Sequence, residues 1–157
     1  MNKAVLIILM CAALAAAPAV ASQPVLSVEA TSDIVDGKPM VVFRVTNTTS
    51  KPVQISVGQL PWKNRNNTVI AVVNRKSGES AKPKFRIDDN FETGTVDIGA
   101  GQTVQGTVSL ERYVVGLREL LQKDDALVFW HYAASGESSA AFGEQGGWFA
   151  LSRIHSR

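Results

Sequence analysis

The plainest pattern in the chain is the alternation in "KPMVVFRVTNTTSKPVQISVGQL", residues 38–60. Val41, Phe43 and Val45 alternate with Val42, Arg44 and Thr46; then, past "NTTSKP", Val53, Ile55 and Val57 alternate with Gln54 and Ser56. Period-2 patterning rich in β-branched residues, broken by Asn, Ser and Pro, predicts strand, turn, strand. "VLSVEA" ahead of it alternates too, and "DGKP" reads as a turn. Downstream, "TVIAVVNR" predicts a fourth strand and "KPKFRI" a short one. "TVDIGAGQTVQGTVSL" predicts a brief strand, a glycine turn at Gly99 to Gly101 and a longer strand from Thr103 to Leu110. "ALVFWHYAA" is a continuous apolar run, the signature of a strand with both faces covered, and places Trp130 in the core. "GGWFALSRI" supplies the closing strand, joined to it by the loop "AASGESSAAFGEQGG".

One segment carries the helical period instead. In "RYVVGLRELLQK", Val114, Leu117, Leu120 and Leu121 share a face, with Arg118 and Gln122 opposite. Gly116 costs such a helix ~1 kcal/mol, so a short helix is expected. About seven to nine short strands with turn residues between them define the fold class as an all-β, immunoglobulin-like β-sandwich with one short helix. The likeness to immunoglobulins is one of architecture, since the Cys–Trp–Cys pattern of antibody domains is absent. Nothing repeats, and no linker divides the chain.

The first residues change where this domain is placed. In "MNKAVLIILMCAALAAAPAVASQP", Lys3 is followed by an apolar run from Val5 to Ala17, shorter than the ~20 residues of a membrane span, and then by Ala19-Val20-Ala21. That is the layout of a cleavable export signal over residues 1–22, leaving 23–157 as one domain with no transmembrane segment, periplasmic or secreted. Cys11 is the only cysteine, and Met10 ahead of it does not suit lipid modification. The mature chain therefore has no cysteine for a disulfide, a metal or a nucleophile. Of 157 residues, a 22-residue leader leaves 135, enough for a real core.

Charge excludes one class of partner. Lys and Arg total 16 against 14 Asp and Glu; without Lys3 the balance is 15 to 14. That is no nucleic-acid-binding balance. Bases crowd residues 51–86, with Glu79 the one acid among them, and residues 87–111 hold acids without a base. The ordinary reading is solvated faces that pair with each other.

Candidate chemistry is thin. His131 and His155 are the only histidines, with no HExxH and no cluster of metal ligands. His131 shares a strand face with Phe129. No G-x-S-x-G elbow occurs, and Ser135, Ser138 and Ser139 lie in a loop beside no evident base. The pairs Asp88-Asp89 and Asp124-Asp125 point to opposite faces if extended. "DDNFETGTVD" spaces Asp88, Asn90 and Glu92 like part of a calcium loop but lacks the rest of it. No catalytic residue, metal or cofactor is expected. Asn47 and Asn66 head N-x-T sequons, read as turn residues because the leader looks bacterial.

The best candidate for binding is "GQLPWKNRNN". Leu60 is expected to end a strand, and Pro61 cannot donate to a ladder. Trp62, Lys63, Asn64, Arg65 and Asn66 then form a turn at the edge of the sandwich, with Lys63 and Arg65 exposed. Trp62 either plugs the sheet end or points outward as an aromatic anchor. Trp and Arg together are what interface hot spots favour, so this loop is the expected rim of a protein-binding surface.

Three segments carry a resemblance. "FRVTNTTSKPVQI" with "LPWKN", then "VDIGAGQTVQGTVSLERY", then "ALVFWHY" resemble the non-catalytic β-sandwich domain that precedes the protease in deuterolysin and peptidyl-Lys type metalloendopeptidases, over about Val28 to Tyr132. Free-standing exported bacterial β-sandwich proteins with the same pattern resemble the chain more closely still. The protease domain and its zinc-binding HExxH are missing, so no catalytic residue carries over. The resemblance implies a sandwich with a non-enzymatic role: a binding or accessory protein with a protein partner. A small inhibitor or immunity protein, and a hydrolase whose site is not apparent, are the alternatives.

Overall fold

The computed structural model describes residues 24–84, 92–134 and 139–154. The leader, Asp88, Asn90, Ser135, Ser138 and His155 lie outside them. The described residues form an all-β sandwich of eight strands. Strands β1 (Leu26–Val35) and β2 (Lys38–Asn47), ten residues each, make a hairpin. Its two turn residues, Asp36 and Gly37, both take positive φ, at 50° and 71°, the conformation that matches the strands' own twist. Strand β6 (Thr103–Ser109) pairs with β2 on its other side. A second sheet runs β4 (Thr68–Asn74), β7 (Ala126–Ala133), β8 (Glu144–Leu151), all antiparallel. Strands β3 (Val53–Ser56) and β5 (Thr95–Ile98) form a two-stranded sheet of their own.

The core is built from alternate residues of the facing sheets. Val41, Phe43 and Val45 of β2 meet Val128, Trp130 and Tyr132 of β7, all buried. Phe43 and Trp130 touch edge to face, with ring centroids 6.0 Å apart. Helix α1 (Leu117–Lys123) closes one end by burying Leu117 and Leu121. Gly116 lies at its N-cap with φ of 74°, outside the helix, so the expected cost of a helical glycine does not arise. A single helical turn, α2 (Ser139–Phe142), stands in the β7–β8 connection. It delivers Phe142 to the core, edge-on to Tyr132 at 5.1 Å.

Two expectations need correction, and a third is tested only over part of its length. Strand β3 stops at Ser56, and Val57–Gln59 form a 3-10 turn, so Leu60 does not end a strand. In "KPKFRI", Pro83 makes only an isolated bridge to Val114, and residues 85–87 lie outside the described residues. Strand β7 has one face covered, not two. Phe129 is 44% exposed, and His131 is exposed beside it.

Candidate functional site

The loop from Val57 to Asn67 is pinned at several points. The Tyr132 hydroxyl, coming up from β7, donates to the Gln59 carbonyl. Burial pushes that phenol far above its ordinary range. Asn67 is buried and donates to Gln59 Oε1 at 2.9 Å. The Thr68 hydroxyl donates to the Pro61 carbonyl at 3.0 Å. Asn64 caps a short 3-10 turn (Arg65–Asn67) by accepting from the Asn66 amide at 2.9 Å.

Of the two orientations open to Trp62, the chain takes the inward one. The half-buried indole packs on the core and lies flat over Gly106 of β6, where a β-carbon would collide with the ring. Lys63 is exposed and salt-bridged to Glu92 at 2.8 Å. Arg65 is half-buried rather than exposed. It donates to the Lys84 carbonyl and stacks over the Tyr113 ring, 4.9 Å from its centroid. The Lys63–Glu92 pair also links the basic and acidic stretches of the sequence. Of the five loop residues, Asn66 is exposed and makes its contact with Asn64 alone among those described above.

A different surface stands out, on the outer face of β4-β7-β8. The register sets its side chains in three rows. Val69, His131 and Gly146 form the first. Ala71, Phe129 and Trp148 form the middle one. Val73, Leu127 and Ala150 form the third. Eight of these nine positions are apolar or glycine. Val69 is 61% exposed and Trp148 65%. A shallow apolar hollow of about 430 Å³ lies among Leu127, Phe129, Trp148 and Ala150, with Arg75 at its lip. Charges occur only at the margins: Glu144 sits 3.9 Å from His131 at one end, and Arg75 3.9 Å from Asp125 at the other.

Sequence reasoning missed this face because an apolar run on a strand has two readings, burial on both sides or an open apolar face. The alternation Trp148, Ala150 opposite Phe129, Leu127 would have disclosed it had the register been known. Among the described residues, no three His, Cys, Asp or Glu gather to hold a metal ion, and no helix is long and apolar enough to cross a membrane. Glu92 of the calcium-like spacing is engaged with Lys63. The acids Asp124 and Asp125 diverge, one accepting from Asn74 at 3.3 Å and the other from the Arg153 amide at 2.9 Å. No protein-family model matches the chain, and comparison with curated proteins finds no similar one.

Proposed function

We propose that this is an exported, non-enzymatic β-sandwich that works by binding a protein, and that it binds through the outer face of β4-β7-β8. The observation that carries the reading is the open middle row, with Phe129 44% and Trp148 65% exposed in an otherwise apolar grid. The largest contiguous apolar patch on a domain is often functional even at a few hundred Å², and aromatic residues are enriched at interface centres. The resemblance to a non-catalytic sandwich domain supports the same role. The 62–66 loop is the weaker candidate, because Trp62, Lys63 and Arg65 are already engaged within the chain.

The test is capture of exported proteins by tagged wild type, Trp148→Glu, and Lys63→Ala with Arg65→Ala. Loss of a specific partner with Trp148→Glu alone is the expected result. Undiminished capture by Trp148→Glu, with loss in the loop variant, would return the binding surface to the loop.

A further inference from the structure

We infer that the occupant of the outer β4-β7-β8 face is a second copy of this chain; this rests on reading that face as an interaction surface. The charge on this face is arranged symmetrically. The centre of the grid has no charged side chain to demand an opposite one, so it can face itself. Interfaces between identical chains are the more apolar class. The margins then decide orientation. Arg75 extends β4 beyond the third row, with its side chain 63% exposed. Glu144 begins β8 ahead of the first row, 82% exposed. Each is four residues from the middle row, on opposite outer strands and in opposite directions, so they occupy diagonal corners about Phe129.

A two-fold axis through Phe129, lying in the interface and running across the strands, exchanges those corners. Arg75 of each copy then meets Glu144 of the other, twice over, as an isologous contact requires. The middle row meets itself, Phe129 and Trp148 against their own counterparts. Geometry is permissive. Four residues of strand are ~13 Å and one strand spacing ~4.8 Å, so the corners lie about 20° off the strand direction. Exchanging them makes the two sheets cross at roughly 40°, near the ~30° of aligned sheet packing. Each corner has a partner within the chain, Asp125 beside Arg75 and His131 beside Glu144, but both pairs are long and exposed, of the kind that contributes little and can give way.

The area sets the strength. Three strands by about seven residues give roughly 300–400 Å² per copy, below the ~800 Å² of a standard interface. The dimer is therefore weak and concentration-dependent.

The experiment is sedimentation velocity over a dilution series of the purified protein. Wild type should move from monomer toward dimer as concentration rises, and added salt should shift it back. Trp148→Glu should remain monomeric with an unchanged thermal melt; Ala71→Arg, in the same row, serves if that variant folds poorly. Arg75→Glu and Glu144→Arg should each weaken association by roughly tenfold, and the two together should restore it. A wild type that stays monomeric throughout, or a double reversal no better than either single, overturns the inference. If wild type is monomeric while Trp148→Glu still loses a captured partner, the self-association fails and the binding face stands. If Trp148→Glu changes neither, both fall.

Discussion

Two buried polar side chains decide more of this fold than their number suggests. Asn47 is fully buried at the end of β2. Its amide reaches the carbonyls of Lys51 at 2.7 Å, Ile98 at 2.9 Å and Gly99 at 3.1 Å. Its oxygen accepts from the Thr49 amide and hydroxyl at 2.9 and 2.8 Å. One side chain thus shapes the "NTTSKP" turn and ties it to the turn after β5. Asn47→Asp puts a carboxylate against three carbonyl oxygens and removes every donor, which should cost ~3 kcal/mol or more, read as a drop in the urea midpoint. Glycosylation at this sequon is incompatible with the fold for the same reason. Tyr132 gives a second handle. A phenol whose pKa is raised by folding stabilises fully below its ordinary value of ~10 and loses that contribution as pH rises above it. Wild-type stability should therefore fall more steeply than that of Tyr132→Phe between mildly and strongly alkaline pH, while at neutral pH the variant loses ~1 kcal/mol of hydrogen bond. Equal slopes for the two proteins would mean that the phenol is wetter than its place in the core implies.

At the level of elements, neighbours on one strand should behave as opposites. Trp130 is 7% exposed and Phe129 44%, so Trp130→Ala should cost ~3–5 kcal/mol and Phe129→Ser less than ~1 kcal/mol, both by chemical denaturation. Comparable losses would mean that β7 is covered on both sides after all. The contact between Trp62 and Gly106 joins two elements in the same testable way. Gly106→Ala should cost ~1–3 kcal/mol by overpacking, and far less in a chain already carrying Trp62→Ala. These elements also show what the sequence made legible. Strands β2, β4 and β6 announced themselves because alternation and β-branching coincide there, and α1 because its period is 3.6. The inward packing of Trp62 was not legible, since it depends on a glycine over forty residues away offering a bare patch of strand. Nor was the open face of β7, because burial of a strand's second face is decided by what lies over it. The helical turn α2 hid for a third reason. Four residues are too few to show a period, and Phe142 alone in "SSAAFGEQGG" gives no hint that it fills the core.

Across the whole molecule, the two main sheets must be held together where their edges meet, and one side chain does this near both ends of the chain. Strand β1 edges the first sheet and β8 the second, and they run alongside one another. Edges that face each other without pairing leave backbone groups short of partners, a cost that any sandwich has to meet. Gln145 of β8 points inward and spans the gap. Its Oε1 accepts from the Val28 amide at 2.7 Å, and its Nε2 donates to the carbonyls of Leu26 at 2.8 Å and Phe142 at 2.6 Å. Both donors and the acceptor are thereby used, and the amide imitates the strand neighbour that β1 lacks. The residues joined are 117 and 119 positions apart, so this contact forms only when the ends of the domain have met. Gln145→Ala should cost ~2–3 kcal/mol, because it strands a backbone donor and an acceptor as well as losing the bonds. Hydrogen exchange locates the effect: the Val28 amide should lose protection well before the amides of β7, since the seam can open while the sheets persist. Gln145→Glu keeps the acceptor but loses the donors, so it should protect Val28 yet remain less stable than wild type. If Val28 exchanges no faster in Gln145→Ala than in wild type, the seam is held by the packing of Leu26, Val28 and Phe142 alone, and the side-chain bridge is incidental to it.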